Sequence, residues 1–253
     1  ITNSTVERSS LKLNASQTIS TASSPGSRTR LDINRLSVNG TLDGVFSANG
    51  TALSISDGGK VEGPNGKNTE FNASYDSMNI SGKIRANARI ASEQFLAKPG
   101  SVVSADGKGF SSQSGPGSGN NGDSRFDEDQ DTGAGYGGRG GRTDENFAEG
   151  DSYGSVRNPT QLGSGGGAFS SRGGGKILID ASNTLSIESK LSVDAEDSGN
   201  GAGGTININA SELEGNISVS ASGGEGGFDE GGGAGGRIAV RYGINNTDFL
   251  RTD

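Results

Sequence analysis

A short phrase of glycines followed by an apolar strand recurs along the second half of this chain. Gly173 to Ile179 reads GGGKILI, Gly203 to Ile208 reads GGTINI, and Gly235 to Val240 reads GGRIAV. By subtraction, Lys176, Thr205 and Arg237 lie 29 and 32 residues apart. Recurrence at roughly 20–50 residues marks solenoids and arrays, in which each repeat buries its apolar face only against its neighbours. A compact enzyme core and a disordered tail are both poor fits to that spacing.

The strands themselves are legible as period-two pairs. Ile177 and Ile179, Leu185 and Ile187, Leu191 and Val193, Ile206 and Ile208, Ile217 and Val219, and Ile238 and Val240 stand two apart. Residues two apart share one face of a strand, so each pair points to a common interior while the Ser, Asn, Asp and Glu between them face water. A second echo aligns SVVSADGKG from Ser101 with LSVDAEDSG from Leu191 and ISVSASGGE from Ile217. Residues 1–95 show the same pattern in shorter runs, such as Leu31-Asp32-Ile33, Leu36-Ser37-Val38 and Leu53-Ser54-Ile55. Turn signals at Asn39-Gly40, Asp43-Gly44, Asn49-Gly50 and Asp57-Gly58-Gly59 separate them. We therefore read an all-β chain in two continuous parts, a sequon-rich solenoid over 1–95 and a glycine-rich one over 96–253. Two or three strands per coil make a parallel β-helix the natural architecture. Coils of about 25–30 residues would give eight to ten layers.

Composition alone points elsewhere. Leu, Ile, Val and Phe make up about a fifth of the residues at a net charge of −8, near the border of disorder. A narrow coil resolves the conflict, because it needs only a few inward side chains per turn. With Cys 0 there is no disulfide framework or thiolate, and with His 0 the usual neutral-pH base and the commonest transition-metal ligand are missing. An acidic balance disfavours nucleic acid. The RGG triplets at Arg139 and Arg172 read as loop decoration. No run approaches the length of a membrane-spanning helix. The chain starts at Ile1 and stops at Asp253 without a capping signal, which reads as a segment of a longer, processed precursor.

GAGYGGRGG from Gly133, YGS at Tyr153 and LGSGGG at Leu162 precede GGGKILI and then GGGAGGRIAV from Gly231. Over roughly residues 100–242 this order resembles the glycine-rich β-helix segments of large extracellular or surface proteins of plants, algae and protists. The resemblance implies a secreted, right-handed parallel β-helix with glycine-rich loops and no established chemistry. It also suggests a component of an extracellular fibre, such as a flagellar hair.

Nine Asn-x-Ser/Thr triplets open at Asn3, Asn14, Asn39, Asn49, Asn72, Asn79, Asn209, Asn216 and Asn245. Chance would supply roughly half as many, which points to a secreted, N-glycosylated protein in a eukaryotic source. The same residues are also ordinary solenoid-turn residues. The best metal candidate is the acidic run Asp123, Asp127, Asp129 and Asp131 with Glu128 among them, whose alternating carboxylates could hold Ca²⁺. It lacks the glycine and the distal glutamate of an EF-hand loop, and its first reading is a solvated acidic loop. No cofactor is expected.

Three G-x-G-x-x-G matches, at Gly133, Gly199 and Gly231, fall in glycine tracts without a strand-turn-helix context. A sugar hydrolase needs two carboxyls about 5–10 Å apart. The chain has no Asp-Asp dipeptide, and in Val156-Arg157-Asn158-Pro159, which is similar to the start of a pectate-lyase motif, Leu162 stands where the second arginine belongs. Tyr136, Tyr153 and Tyr242 could stack sugars but read first as aromatics packed over glycine backbone. The expectation is thus a structural extracellular module. It would be a rod or filament subunit meeting itself or other extracellular structural proteins end to end. The alternative is an adhesion or carbohydrate-binding module and, less so, a polysaccharide-acting enzyme.

Overall fold

The computed structural model describes residues 4–21, 28–66, 69–121, 131–142, 148–196, 199–227 and 230–252. Fourteen strands follow in chain order: β1 (Ser4–Leu13), β2 (Thr18–Ser20), β3 (Thr29–Val38), β4 (Thr41–Asp43), β5 (Phe46–Ile55), β6 (Lys60–Glu62) and β7 (Phe71–Ile80). Then come β8 (Lys83–Arg85), β9 (Ala88–Ala97), β10 (Val102–Ser104), β11 (Lys176–Ile187), β12 (Lys190–Ser192), β13 (Thr205–Ser220) and β14 (Arg237–Thr252). Every strand pair is parallel, and the described residues contain no helix. Long strands stack on long strands in the order β1-β3-β5-β7-β9-β11-β13-β14, and short strands stack as β2-β4-β6-β8-β10-β12. The end of β13 pairs with β12, which joins the two stacks into one solenoid-like sheet.

Each long strand turns a corner. In β3, Leu31 and Ile33 are buried and then Leu36 and Val38, with exposed Asn34 and Arg35 between them. The inward positions therefore step by two, three and two, and the extra residue re-aims the second half of the strand. The exposed pair recurs as Asp76-Ser77 in β7 and Glu93-Gln94 in β9. Two limbs and a short strand then make three walls around one core. Column-like stacking fills it: Leu31, Ala48, Ala73, Ile90, Ile179 and Ile208 lie in register on the first limb. Leu36, Leu53, Met78, Phe95, Leu185 and Leu213 form the column on the second. Leu42, Val61, Ile84, Val103, Leu191 and Val219 form the column on the short strands. All eighteen are buried in one continuous cluster. Burying each larger member contributes about 1.5–3 kcal/mol, which is how so few apolar residues suffice.

Eight long strands make eight layers, so the stack is about 34 Å tall at about 4.8 Å per step. Two of the first four coils are shorter than the spacing suggested, while β1 to β3 advances 25 residues, within it. By subtraction, β3 to β5 and β7 to β9 advance 17 residues, and β5 to β7 advance 25. Asn39-Gly40 and Asp57-Gly58-Gly59 do lie between strands, and Asp43-Gly44 closes β4, with Gly44 at φ +123. Asn49-Gly50 does not. It lies inside β5, where a Cβ on Gly50 would come 2.0 Å from the Ile33 carbonyl. The second echo also shifts: Val103 pairs Leu191, and Leu191 pairs Val219. The 191 block had thus slipped by two, an error that keeps every side chain on its proper face.

Between β10 and β11 the described residues of 105–121, 131–142 and 148–175 lie outside the strands and pack beside the sheet as glycine-rich segments with a different hydrogen-bond pattern. The consecutive amides of Gly133, Ala134 and Gly135 donate to three separate segments, at the carbonyls of Gly141 (2.8 Å), Asn200 (2.9 Å) and Gly117 (2.8 Å). Gly173, Gly174 and Gly175 donate to Phe110, Ala202 and Ala105, and Ala202, Gly203 and Gly204 to Ser164, Ala234 and Val193. A flat strand sends its amides to two sides. Three directions in succession belong to chains with three residues per turn, as in polyproline II geometry. Such chains pack only where Cβ atoms are missing: one on Gly133 would lie 1.9 Å from the Gly232 carbonyl, and one on Gly204 1.9 Å from that of Gly175. The core of this bundle is its own backbone.

Candidate functional site

Outward residues of the first limb form two rows running along the stack. One is Arg30, Ser47, Asn72, Arg89, Leu178 and Asn207; the other is Asp32, Asn49, Ser74, Ala91, Asp180 and Asn209, continued by Arg241. Period two puts both rows on the face opposite the core. A hollow of about 320 Å³ opens between Arg30, Asn49, Asn72, Ser74 and Arg89. A second, of about 240 Å³, lies between Arg89, Thr160, Asp180, Asn209 and Arg241, and the two share Arg89 and Ala91. Residues 157–160 wall the second hollow: Asn207 Nδ2 donates to Asn158 Oδ1 and to the Pro159 carbonyl, each at 2.9 Å. The Arg157 carbonyl accepts from Arg241 at 2.8 Å. That fixes Val156-Arg157-Asn158-Pro159 as a wall of this face, with Val156 itself exposed.

Sequon asparagines are spread over the stack rather than gathered. Asn49 and Asn72 share the larger hollow. Asn72 lies between Glu70 and Arg28, its amide nitrogen 3.3 Å from the carboxylate and its oxygen 2.8 Å from the guanidinium. Asn209 donates to Asp180 at 3.1 Å, and Asn39 accepts from Ser56 at 2.9 Å. Among the described residues the side-chain amides of Asn14, Asn49, Asn79 and Asn216 have no hydrogen-bond partner. Asn245 accepts from the Thr247 amide and hydroxyl, and it is in register with Leu213, where the second-limb column would have continued. Asn3 lies outside the described residues.

In the acidic run, Asp123, Asp127, Glu128 and Asp129 lie outside the described residues. Asp131 is buried, and its carbonyl accepts the Gly231 amide at 2.9 Å within the glycine bundle. Among the described residues no three acidic side chains gather in a way that could hold a metal ion.

Carboxylates do meet between coils, as staples. Asp106 accepts from the Ser104 and Ser192 hydroxyls (2.7 and 2.8 Å) and from the Asp194 amide (2.8 Å). One layer on, Asp194 accepts from the Ser220 hydroxyl (2.6 Å) and the Ser222 amide (2.7 Å). Both carboxylates are thus occupied as acceptors binding one coil to the next. The echo from Ser101, Leu191 and Ile217 is the sequence trace of that ladder, though sequence reasoning found the repeat and missed its staples.

Tyr136 is buried and Tyr153 partly buried, and together they tie the bundle to the sheet. Their rings are 4.7 Å apart. The Tyr136 phenol donates to Thr205 Oγ1 at 2.5 Å, which itself donates to the Gln161 carbonyl. Tyr153 donates to the Leu162 carbonyl at 2.5 Å, and Arg237 sits over the Tyr136 ring while bonding the carbonyls of both tyrosines. Burial pushes both phenols above their usual range. These two pack as structural aromatics, whereas Tyr242 on β14 is 46% exposed.

A cleft of about 290 Å³ separates bundle and sheet, walled by Phe110, Pro116 and Leu162 with the Glu70–Lys176 ion pair (2.5 Å) on its polar side. Asn87 seals its base, donating to the Lys108 carbonyl and accepting the Lys176 amide. Its charges are paired with each other.

At the ends of the stack the columns stop open. Val6, Leu11 and Ile19 at one end, and Ile238 and Val240 at the other, are only partly buried against the core. Tyr242 and Ile244 on the last strand are 46% and 58% exposed. Among the described residues each of β1 and β14 pairs on one side only. Comparison with protein families, with characterised proteins and with solved structures finds no match to this chain.

Proposed function

We propose that this chain is a structural module, a right-handed parallel β-helix with glycine-rich excursions belonging to a secreted, N-glycosylated surface protein. In this reading it serves as a rod or filament subunit whose end coils stack on further coils. The observation that carries the proposal is the pair of open ends. Half-buried apolar residues stand in register with the core columns there, beside strand edges that among the described residues pair on one side only. Unpaired edges of this length template further pairing unless covered, and a solenoid adds layers at nearest-neighbour cost. The paired charges of the cleft and the filled acceptors of the staples favour a mechanical role over a catalytic one. Glycans on the lateral asparagines, with the net charge of −8, would keep the sides of such a rod apart.

Sedimentation velocity over a wide concentration range, with electron microscopy of the same samples, tests the stacking. The expected result is linear species that lengthen with concentration. Single particles of one chain at every concentration would overturn it. Production in a eukaryotic secretory host, followed by peptide mass spectrometry, tests the sugar coat; unmodified Asn14, Asn49, Asn79 and Asn216 would remove that part of the proposal.

A further inference from the structure

We propose that the outer face of the first limb binds an acidic glycan, a chain bearing uronate carboxylates or sulfate esters, laid along the stack with Arg89 as its central anion contact. The two hollows on this face meet at Arg89 and Ala91, so they form one groove that crosses from Arg30 to Arg241. From β3 to β14 that is six strand steps, about 29 Å at about 4.8 Å per step. Its middle is floored by short side chains, Ser47, Ser74 and Ala91, which let an extended ligand approach the sheet.

The charges on this face are unequal in availability. Arg30 is clamped by the Asp32 carboxylate at 2.8 Å. Arg241 is held by Asn207 at 2.7 Å and by the Arg157 carbonyl. Asp180, the acid of the second hollow, is engaged by Asn209. Arg89 is exposed and, among the described residues, has no hydrogen-bonded or ionic partner. A free guanidinium at the junction of a groove is a fork for a planar carboxylate or a sulfate. In a chain of net charge −8 it is also a local exception. Amide groups at Asn49 and Asn209 flank it for sugar hydroxyls. Among the described residues the groove has no aromatic platform for bases, and the overall charge repels a polyphosphate backbone, so an acidic sugar chain suits it better than nucleic acid.

Such a glycan has two sources, a separate polysaccharide or a sugar chain carried on Asn49 or Asn72 of this groove. The test titrates the full chain, made with and without N-glycosylation, with an oligogalacturonate and a sulfated oligosaccharide at low salt; a neutral oligosaccharide of equal length is the control. Binding of an acidic probe over the neutral one is expected, weakening with salt and falling about ten-fold or more in Arg89→Gln. Arg35→Gln, at the corner of β3 away from the groove, should bind as the parent does. If both glycoforms bind, the ligand is a separate chain. If only the unglycosylated form binds and Asn49→Gln with Asn72→Gln restores binding to the other, the groove holds the chain's own sugars. Equal binding of acidic and neutral probes, no binding by either glycoform, or an Arg89→Gln variant that melts like the parent and binds as tightly, overturns the proposal.

Discussion

Gly174→Ala is the sharpest probe of the backbone-packed bundle. The new methyl carbon would sit 1.9 Å from the Val193 carbonyl oxygen and 2.5 Å from the Gly204 amide nitrogen, where ordinary contact begins at 3.4 Å. Those two atoms are hydrogen-bonded to each other at 2.8 Å, so the methyl group wedges directly into an existing bond. Gly174 itself donates to Ala202 and accepts from Gly163, which fixes it from both sides and leaves no easy retreat. Overpacking of this kind costs about 1–3 kcal/mol, and loss of the Gly204–Val193 bond adds about 1 kcal/mol. In a chain of this length each kcal/mol moves the melting temperature by about 2–4 °C, so the variant should melt about 5–15 °C lower. Gly138→Ala is the matched control: nothing lies within 4 Å of its would-be methyl and its φ is ordinary. It should stay within about 0.5 kcal/mol of the parent. Differential scanning calorimetry on the three proteins decides it. If Gly174→Ala melts within about 2 °C of the parent, the account of the bundle as backbone in mutual contact is wrong.

Asp194→Ala removes the acceptor for Ser220 and Ser222 and should cost about 1–3 kcal/mol, seen as a lower urea midpoint at unchanged slope; an unchanged midpoint would mean the staple contributes nothing. Tyr75 Oη and Ser92 Oγ, on adjacent strands, are buried without hydrogen-bond partners among the described residues, so Tyr75→Phe should raise stability by about 1 kcal/mol in the same assay, and a loss would contradict the burial argument. Burial, with the Asp32 charge, raises the Tyr75 phenol above its usual range, and burial does the same at Tyr136 and Tyr153. The folded chain therefore keeps protons that the unfolded chain releases above about pH 10. Stability is full below that pH and falls as pH rises past it, by up to about 1.4 kcal/mol per tyrosine per pH unit. Phenolate absorbance that rises before unfolding, with three tyrosines titrating in the native state, would refute this.

What the sequence revealed and what it hid separate along a physical line. Pairs such as Ile206 and Ile208 expose a strand because an inward face must be apolar every second residue. The corner in each long strand was also written there, as the step of three from Ile33 to Leu36, but it read as two short strands instead of one bent one. Asn49-Gly50 misled because a glycine that makes room for a neighbouring strand looks the same as a glycine that makes a turn. The bundle was visible as glycine tracts, yet its hydrogen bonds join residues as far apart as Gly137 and Gly235, and glycine carries no side-chain pattern to announce such partners. Arg89 was unreadable as a site. Its meaning depends on Asp32 being spent on Arg30 and Asp180 on Asn209, pairings that only register creates.

Sheet and bundle solve one problem, a shortage of apolar residues, in opposite ways, and each needs the other. In the sheet, side-chain columns supply the cohesion, and substitutions that keep volume should be absorbed. In the bundle, carbonyls and amides supply it, and almost any added carbon intrudes. Glycine loses more conformational freedom on ordering than any other residue, so a bundle built of it is a weak independent folder. It is held at defined points: Lys176 and Thr205 begin strands where Gly175 and Gly204 end bundle segments, and Arg237 clasps Tyr136 and Tyr153 at the start of β14. The sheet thus supplies the fixed ends that the glycine segments lack. In return the segments around Asn158 and Pro159 cover Leu178 and Asn207 on the sheet's outer face, sparing it an exposed apolar patch and leaving the adjoining groove around Arg89 open.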